Sequence, residues 1–367
     1  MANPYAAQPD YAFWRRSVAN LDADSVDPVV GAPFAIARTD KIATTGSCFA
    51  QHISNTLVRE GFEYFVTERG PLSPSADDEG FGVFPARFGN IYSTRQFLQL
   101  FERAYGLFEP KDKAWIRKDG AFIDPFRPRI QSRGYPTLQA LEEDRAAHLG
   151  AVRAMFEQCD VMIFTLGLTE TWVSEIDGAA FPIAPGVEGE VDDPQAYGFR
   201  NLSVAEMVDD LLTLVGHVRA MNPAMRLILT VSPVPLIATY EPRHVLVSTT
   251  YSKSALRVTA EMAAAGASDI AYFPSYEIIT GAYAKSRYFA EDLREVTPEG
   301  VAKVMSLFKQ HYLEGPGGTV SVRASTSPSA PRKAPDPAPS PDFVKGMREM
   351  QGIICDEEIL DPTGARA

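Results

Sequence analysis

The chain has 367 residues, 45% of them hydrophobic, and its 47 Asp and Glu against 35 Lys and Arg leave a formal net charge of -12. That length allows one large domain or two modest ones with ample core, and the acidic excess argues against a nucleic-acid-binding or anionic-lipid-binding surface. Three cysteines, Cys48, Cys159 and Cys355, are too few and too scattered for a disulfide framework or a zinc site.

No apolar run approaches the roughly 18 residues of a membrane span, and the polar residues 1–10 do not read as a signal peptide. A soluble, reduced, cytoplasmic protein is expected, with no membrane partner.

In chain order, short apolar runs bounded by turn residues predict strands at 41–45, 161–166, 226–231 and 269–273. Helical patterns lie between them at 138–157, 204–221 and 252–265. Strands alternating with helices predict an α/β fold whose parallel sheet is covered on both faces. In such a sheet the ligand site lies beyond the carboxyl ends of the strands, where strand order reverses.

Residues 1–315 are expected to form this domain. Six of the 28 prolines fall within 322–341 among Ser, Ala and Thr, so 316–341 reads as a disordered linker. In the tail, 342–367, Phe343, Met347, Met350 and Ile354 recur at helical spacing. This short amphipathic helix is a candidate contact for a protein partner.

The first strand is followed by Thr45-Gly46-Ser47-Cys48-Phe49-Ala50 and a helical pattern. A glycine at a strand-to-helix turn lets the backbone bend sharply and present the next side chains at the mouth of a site. Unpaired N–H groups at the helix start favour a thiolate and an oxyanion. Gly46, Ser47 and Cys48 are therefore candidates for a nucleophile turn, against the plainer reading of a buried cysteine beside a capping serine.

Gly46-Ser47-Cys48-Phe49-Ala50 also spells the signature of the GSCFA family. The likeness continues through Arg87-Phe88-Gly89-Asn90-Ile91-Tyr92, Asp124-Pro125-Phe126-Arg127-Pro128 and Thr165-Leu166-Gly167-Leu168-Thr169-Glu170-Thr171-Trp172. Thr230-Val231-Ser232-Pro233-Val234-Pro235, Tyr251-Ser252-Lys253 and Phe273-Pro274-Ser275-Tyr276-Glu277 extend it in order. The chain resembles that family over residues 11–313. The resemblance implies an SGNH-hydrolase-like fold, a three-layer α/β/α sandwich with a central parallel sheet in flavodoxin-like order, related to enzymes that add or remove acetyl groups on bacterial polysaccharides.

The SGNH pattern, laid on this chain, assigns roles. In register with Gly-Asp-Ser, Gly46 takes the glycine, Ser47 the aspartate and Cys48 the nucleophile; a shift of one residue would make Ser47 the nucleophile, and both stay open. Gly89 matches an oxyanion N–H donor, with the Asn90 amide beside it. Gly167-Leu168-Thr169-Glu170 stands for Gly-x-Asn-Asp, with the Thr169 hydroxyl in place of an amide. Asp292-Leu293-Arg294-Glu295 stands for Asp-x-x-His, so Asp292 keeps the acid while Glu295 replaces the base. A carboxylate is a poor base for a serine hydroxyl at neutral pH and a lesser handicap for a thiol, which favours Cys48.

Among the five histidines, His244 is the preferred replacement base, on a loop after the third strand. His148 is next, four residues after Asp144 on one helix face; His52 lies one turn past Cys48, His217 in a helical pattern and His311 at the domain's end. Lys253 and Arg257, four apart, read as a clamp for a phosphate or carboxylate or as a solvated basic face. Trp172, Tyr240, Tyr251 and Tyr276 offer flat surfaces for a sugar ring. Neither a Gly-x-Gly-x-x-Gly turn nor a Gly-Lys-[Ser/Thr] loop occurs.

The expected function is an SGNH-type ester hydrolase or O-acyltransferase acting on acylated (acetylated) small-molecule or glycan esters. It needs no cofactor, with acyl-coenzyme A as co-substrate in the transferase case. The alternative is a non-catalytic carbohydrate- or ligand-binding module with a degenerate site.

Overall fold

Continuous apolar runs become the centre of a parallel sheet. In chain order the strands are β1 (Ile42–Gly46), β2 (Trp115–Ile116), β3 (Phe122–Ile123), β4 (Val161–Leu166), β5 (Glu170–Ser174), β6 (Ala180–Phe181), β7 (Tyr197–Asn201), β8 (Arg226–Val231) and β9 (Ile270–Phe273). The helices are α1 (Ala50–Arg59), α2 (Thr94–Ala104), α3 (Leu138–Gln158), α4 (Val204–Met221), α5 (Val245–Ala264), α6 (Ser275–Thr280) and α7 (Pro298–Tyr312). This computed structural model describes residues 3–70, 80–314 and 360. The linker and tail expected at 316–341 and 342–367 lie outside the described residues, Leu360 aside.

The central sheet has the order β1-β4-β8-β9, is parallel and is flanked by helices, as a three-layer α/β/α fold requires. Every residue of β1 and β4 is buried, which suits strands covered on both faces. Tyr64 forms a parallel bridge with Ile42 on the free side of β1. There the Ile42 amide donates to the Glu63 carbonyl at 2.9 Å, and the Phe65 amide to the Ile42 carbonyl at 2.8 Å. With that fragment as the second strand, chain order across the sheet reads 2-1-3-4-5, the flavodoxin-like order. The reversal falls between β1 and β4.

Local capping explains the helix boundaries. Ser93 with Gln96 and Ser203 with Glu206 form capping boxes on α2 and α4, and Thr137 caps α3. Helix α5 starts at Val245, seven residues before the expected start at 252. Its first turns hold Val245, Val247, Thr249 and Thr250, β-branched residues that weaken a helical reading of the sequence. A second, antiparallel sheet, β6-β5-β7, and the β2-β3 pair were not foreseen. They share a core of Trp115, Ile123, Phe126, Phe181 and Ile183.

The span read as one domain divides into two units. The first, Thr39–Tyr272, holds everything above except the last residue of β9, α6 and α7. In the second, Met1–Arg38 belongs with the described chain from Phe273 to Glu314. Ile36, fully buried, donates its amide to the Tyr312 carbonyl at 2.7 Å. Phe273, Phe308 and Tyr312 pack ring to ring. Arg287 pairs with Asp24 and Glu299, and His311 with Asp27 at 2.7 Å.

Among the described residues, no helix is long and apolar enough to cross a membrane, and no group of three or more His, Cys, Asp or Glu could hold a metal ion.

Candidate active site

The turn after β1 is built on a steric demand. Gly46 has φ +132°, and a Cβ there would lie 2.3 Å from the Thr165 carbonyl oxygen, so only glycine fits. The Ser47 amide then donates to that same carbonyl at 3.2 Å, extending the ladder of β1 on β4 by one residue. The carbonyls of Ser47 and Cys48 accept from Ala50 and Gln51 at 2.9 and 3.2 Å, which winds the chain into α1. Cys48 thus sits at a helix start, 9% exposed, with Ser47 at 4%.

Two other segments close on this turn. The Ile91 amide donates to the Gly46 carbonyl at 2.9 Å, while the Tyr92 carbonyl accepts from the amides of Gly167 and Leu168 at 2.9 and 3.0 Å. One short stretch therefore ties the turn after β1 to the turn after β4. Gly89 has φ +72° with open space where a side chain would project, and Asn90 beside it is buried. The Thr169 amide donates to Ser252 Oγ at 3.1 Å, and Lys253 Nζ donates to the Gly167 carbonyl at 2.8 Å. So hydrogen bonds link Gly46 through Ile91 and Tyr92 to Gly167 and Lys253 at the strand-order reversal, with Ser47, Cys48, Gly89, Asn90 and Thr169 beside them in the chain.

Buried polar atoms mark the same place. Ser47 Oγ, Thr165 Oγ1 and Thr169 Oγ1 are buried and have no hydrogen-bond partner among the described residues. Buried hydroxyls are normally satisfied, and an exception calls for an explanation such as a catalytic role or a bound water.

Other expected site residues stand apart in their bonding. His244 is exposed, and its Nδ1 accepts from the Leu246 amide at 3.1 Å, capping α5. It makes no hydrogen bond to Ser47 or Cys48. Lys253 and Arg257 do not form a clamp: Lys253 is 1% exposed and turned to Gly167, while Arg257 pairs with Glu261 at 2.7 Å and lies over the Tyr272 ring. Asp292 and Glu295 belong to the second unit and are exposed there. Asp292 spends one carboxylate oxygen on the amides of Arg294 and Glu295, both at 3.0 Å, closing its own turn.

A buried ionic network went unforeseen. Arg127 bonds Asp124 at 3.0 Å and Asp144 at 2.8 Å; Arg87 bonds Asp144 at 2.8 Å and lies 3.6 Å from Glu68. Arg145 adds a bond to Asp124 at 3.1 Å, so three guanidiniums face three carboxylates. The network ends on His148, whose Nδ1 is 2.7 Å from Glu68 Oε2. Burial pushes the His148 imidazole down to about 4, helped by the positive field of Arg127, so it is neutral at pH 7. Burial pushes the Glu68 carboxyl up, but the His148 interaction, the Arg87 amide and the positive field of Arg127 together outweigh it and hold the group below its ordinary value. No local signal in the sequence pairs Glu68 with a histidine 80 residues away.

Of the aromatics read as sugar surfaces, Trp172 and Tyr240 meet at 4.7 Å between ring centroids, with Phe199 5.3 Å from Tyr240. The Glu170 carboxylate, next to Thr169, fixes that corner through Thr239 Oγ1 and the Tyr240 amide at 2.6 and 3.2 Å.

No curated protein matches the chain. A solved structure from Streptococcus pneumonia, described with the words "platelet activating factor", shares 15% identity over 46% of this chain at a TM-score of 0.26. The match covers 64% of that chain, less than two thirds of its length, and at that score it carries no argument. The family model is of another order: it matches residues 41–308, a span holding the Gly46 turn, the segment 89–92 bonded to it and the segment 167–169 bonded to Tyr92, and the chain belongs to the GSCFA family.

Proposed function

We propose that this protein is a hydrolase of acyl esters that carries the acyl group on the turn Gly46-Ser47-Cys48. One observation supports this reading above others: a nucleophile pair at a helix start lies on the strand-order reversal, with Ile91 hydrogen-bonded to Gly46 and Tyr92 in turn to Gly167 and Leu168. Cys48 is the proposed nucleophile, because its register matches the catalytic residue of the SGNH pattern and a thiol needs less activation than a hydroxyl. Its sulfur would attack the ester carbonyl. The Gly89 amide, the Asn90 side chain and the Thr169 hydroxyl would receive the charge that develops on the oxygen, each such donor contributing on the order of a hundredfold in rate.

An O-acetylated glycan is the proposed substrate, with Trp172, Phe199 and Tyr240 as the surface for a sugar ring. Transfer from acyl-coenzyme A to a sugar hydroxyl is the same chemistry with another acceptor in place of water. A second reading, a ligand-binding module without turnover, draws on the engagement of His244 as the cap of α5.

Hydrolysis of 4-nitrophenyl acetate by wild type, Cys48→Ala, Ser47→Ala and His244→Ala separates the two. The hydrolase reading expects Cys48→Ala to lose at least about a hundredfold in kcat and His244→Ala to stay near wild type. Equal rates in all four would leave the binding module.

A further inference from the structure

We propose that His148, held by Glu68, is the general base of the Gly46-Ser47-Cys48 site. The inference rests on the hydrolase reading above and supplies the proton acceptor that Glu295 and His244 do not.

Three geometric observations converge on it. First, α3 buries Leu141, His148, Val152, Met155 and Phe156, so His148 continues the core-facing stripe one turn beyond Val152. Only Cys159 and Asp160 separate α3 from β4, so the helix runs back along the strand. Ten residues of helix from Gln158 to His148 rise about 15 Å, and the five steps from Val161 to Leu166 rise about 16 Å. His148 therefore returns to the level of the carboxyl end of β4, where the turn lies.

Second, the dyad is bonded to the segment that closes on the nucleophile. Glu68 Oε2 accepts from the Arg87 amide at 2.7 Å, and four residues on, the Ile91 amide donates to the Gly46 carbonyl. Gly89 and Asn90 lie between these two anchors. Third, with Nδ1–H donated to Glu68, the neutral ring keeps its lone pair on Nε2. That atom is buried, in a side chain 1% exposed, and has no hydrogen-bond partner among the described residues. A carboxylate that fixes the tautomer and orientation of a neutral histidine is the arrangement a base needs.

The other histidines lack one or more of these features. His52 has no carboxylate on its ring and stacks edge-on against Phe49; His217 lies flat on Phe101; His311 bonds Asp27 in the second unit.

The step balances as follows. The Cys48 thiol proton passes to His148 Nε2 as the sulfur adds to the ester carbonyl. The imidazolium returns that proton to the departing alkoxide as the C–O bond breaks, leaving a thioester and an alcohol. Water then attacks the thioester, giving a proton to Nε2. That proton restores the thiol as the acid leaves.

His148→Asn is the informative variant, because its amide can keep the Glu68 bond in place of Nδ1–H while removing the base. Two readouts are taken on the full chain: 4-nitrophenyl acetate turnover, and alkylation of Cys48 by iodoacetamide at pH 7, located by mass spectrometry. The second needs no substrate to be known. His148→Asn is expected to lower kcat at least about a hundredfold with KM within about threefold. It should also slow alkylation about tenfold, and added imidazole should restore part of both rates.

An unchanged alkylation rate, or a kcat above a tenth of wild type while Cys48→Ala is inactive, overturns the base assignment and leaves the nucleophile in place. Wild-type turnover in both Cys48→Ala and Ser47→Ala would overturn the hydrolase reading and the base with it.

Discussion

The ammonium group of Lys253 donates to the carbonyl oxygen of Gly167 at 2.8 Å, and both residues are buried. With Ser252 on the Thr169 amide, α5 thus grips the turn after β4 from two neighbouring residues. A buried charge is tolerated only where hydrogen bonds satisfy it, and here one of those bonds shapes the cleft.

Lys253→Met should leave the Gly167 carbonyl without this donor, at a cost of about 1–3 kcal/mol in stability. If Thr169 serves the oxyanion, kcat should fall about tenfold or more with little change in KM. Urea unfolding and steady-state kinetics test the two effects separately; an unaltered melt together with full activity would remove Lys253 from the description of the site.

Gly46→Ala should be among the most damaging single changes in the chain. The added methyl would sit 2.3 Å from the Thr165 carbonyl oxygen, at a φ of +132° that side chains rarely adopt. Relief requires prising β1 from β4 at its carboxyl end, which should cost more than about 3 kcal/mol. Thermal unfolding of the soluble fraction reads this directly, and a Tm within a few degrees of wild type would contradict the geometry.

The buried arginine network makes a stability prediction away from the turn. Arg127→Met leaves Asp124 with Arg145 as its remaining ion pair and weakens the hold on Asp144, in a place where Arg127 and Asp124 have side chains 1% and 0% exposed. Removing one member of a buried pair costs about 3–5 kcal/mol. Arg127→Lys should recover only part, since an ammonium cannot bond both carboxylates with the fork of a guanidinium. An Arg127→Lys midpoint equal to that of wild type would show that charge alone matters.

Stability should fall as the medium is acidified, beginning well above the carboxylate range. His148 is pushed down to about 4 in the folded protein, first by burial and then by Arg127, while an unfolded chain titrates near 6.5. Between those values the unfolded state binds a proton that the folded state refuses. The contribution is therefore fully present above pH 6.5 and is lost progressively as pH drops toward 4, amounting to roughly 2 kcal/mol between pH 7 and 5. His52, also lowered to about 4 by burial, acts in the same direction. Unfolding free energies of wild type and His148→Asn across this window should diverge in slope, and superimposable profiles would argue against a neutral, buried His148.

Much of the architecture was legible because its causes are local. The strands 161–166 and 226–231 and the helix 204–221 fall where apolar runs and the Ser203 cap place them. The Gly46 turn was likewise readable, since a glycine between a buried strand and a helical pattern has few other uses. The edge fragment 63–65 was not, because it is short and pairs with β1 through a single bridge at Tyr64. Nor was α2, whose Thr94–Ala104 span is short, although its Ser93 and Gln96 carry the capping signal.

Site chemistry divides along the same line. The sequence by itself determined which turn follows the first strand, and that Ser47 and Cys48 sit on it next to a helix. Only the tertiary structure decided that Lys253 turns inward to Gly167 while Arg257, one turn on, pairs with Glu261. It also decided that His244 caps a helix while His148 meets Glu68. Helical spacing tells which residues share a face, but the neighbours that a face meets depend on how helices pack across the sheet. A hydrogen bond between residues 80 or 86 apart therefore has no local cause to read.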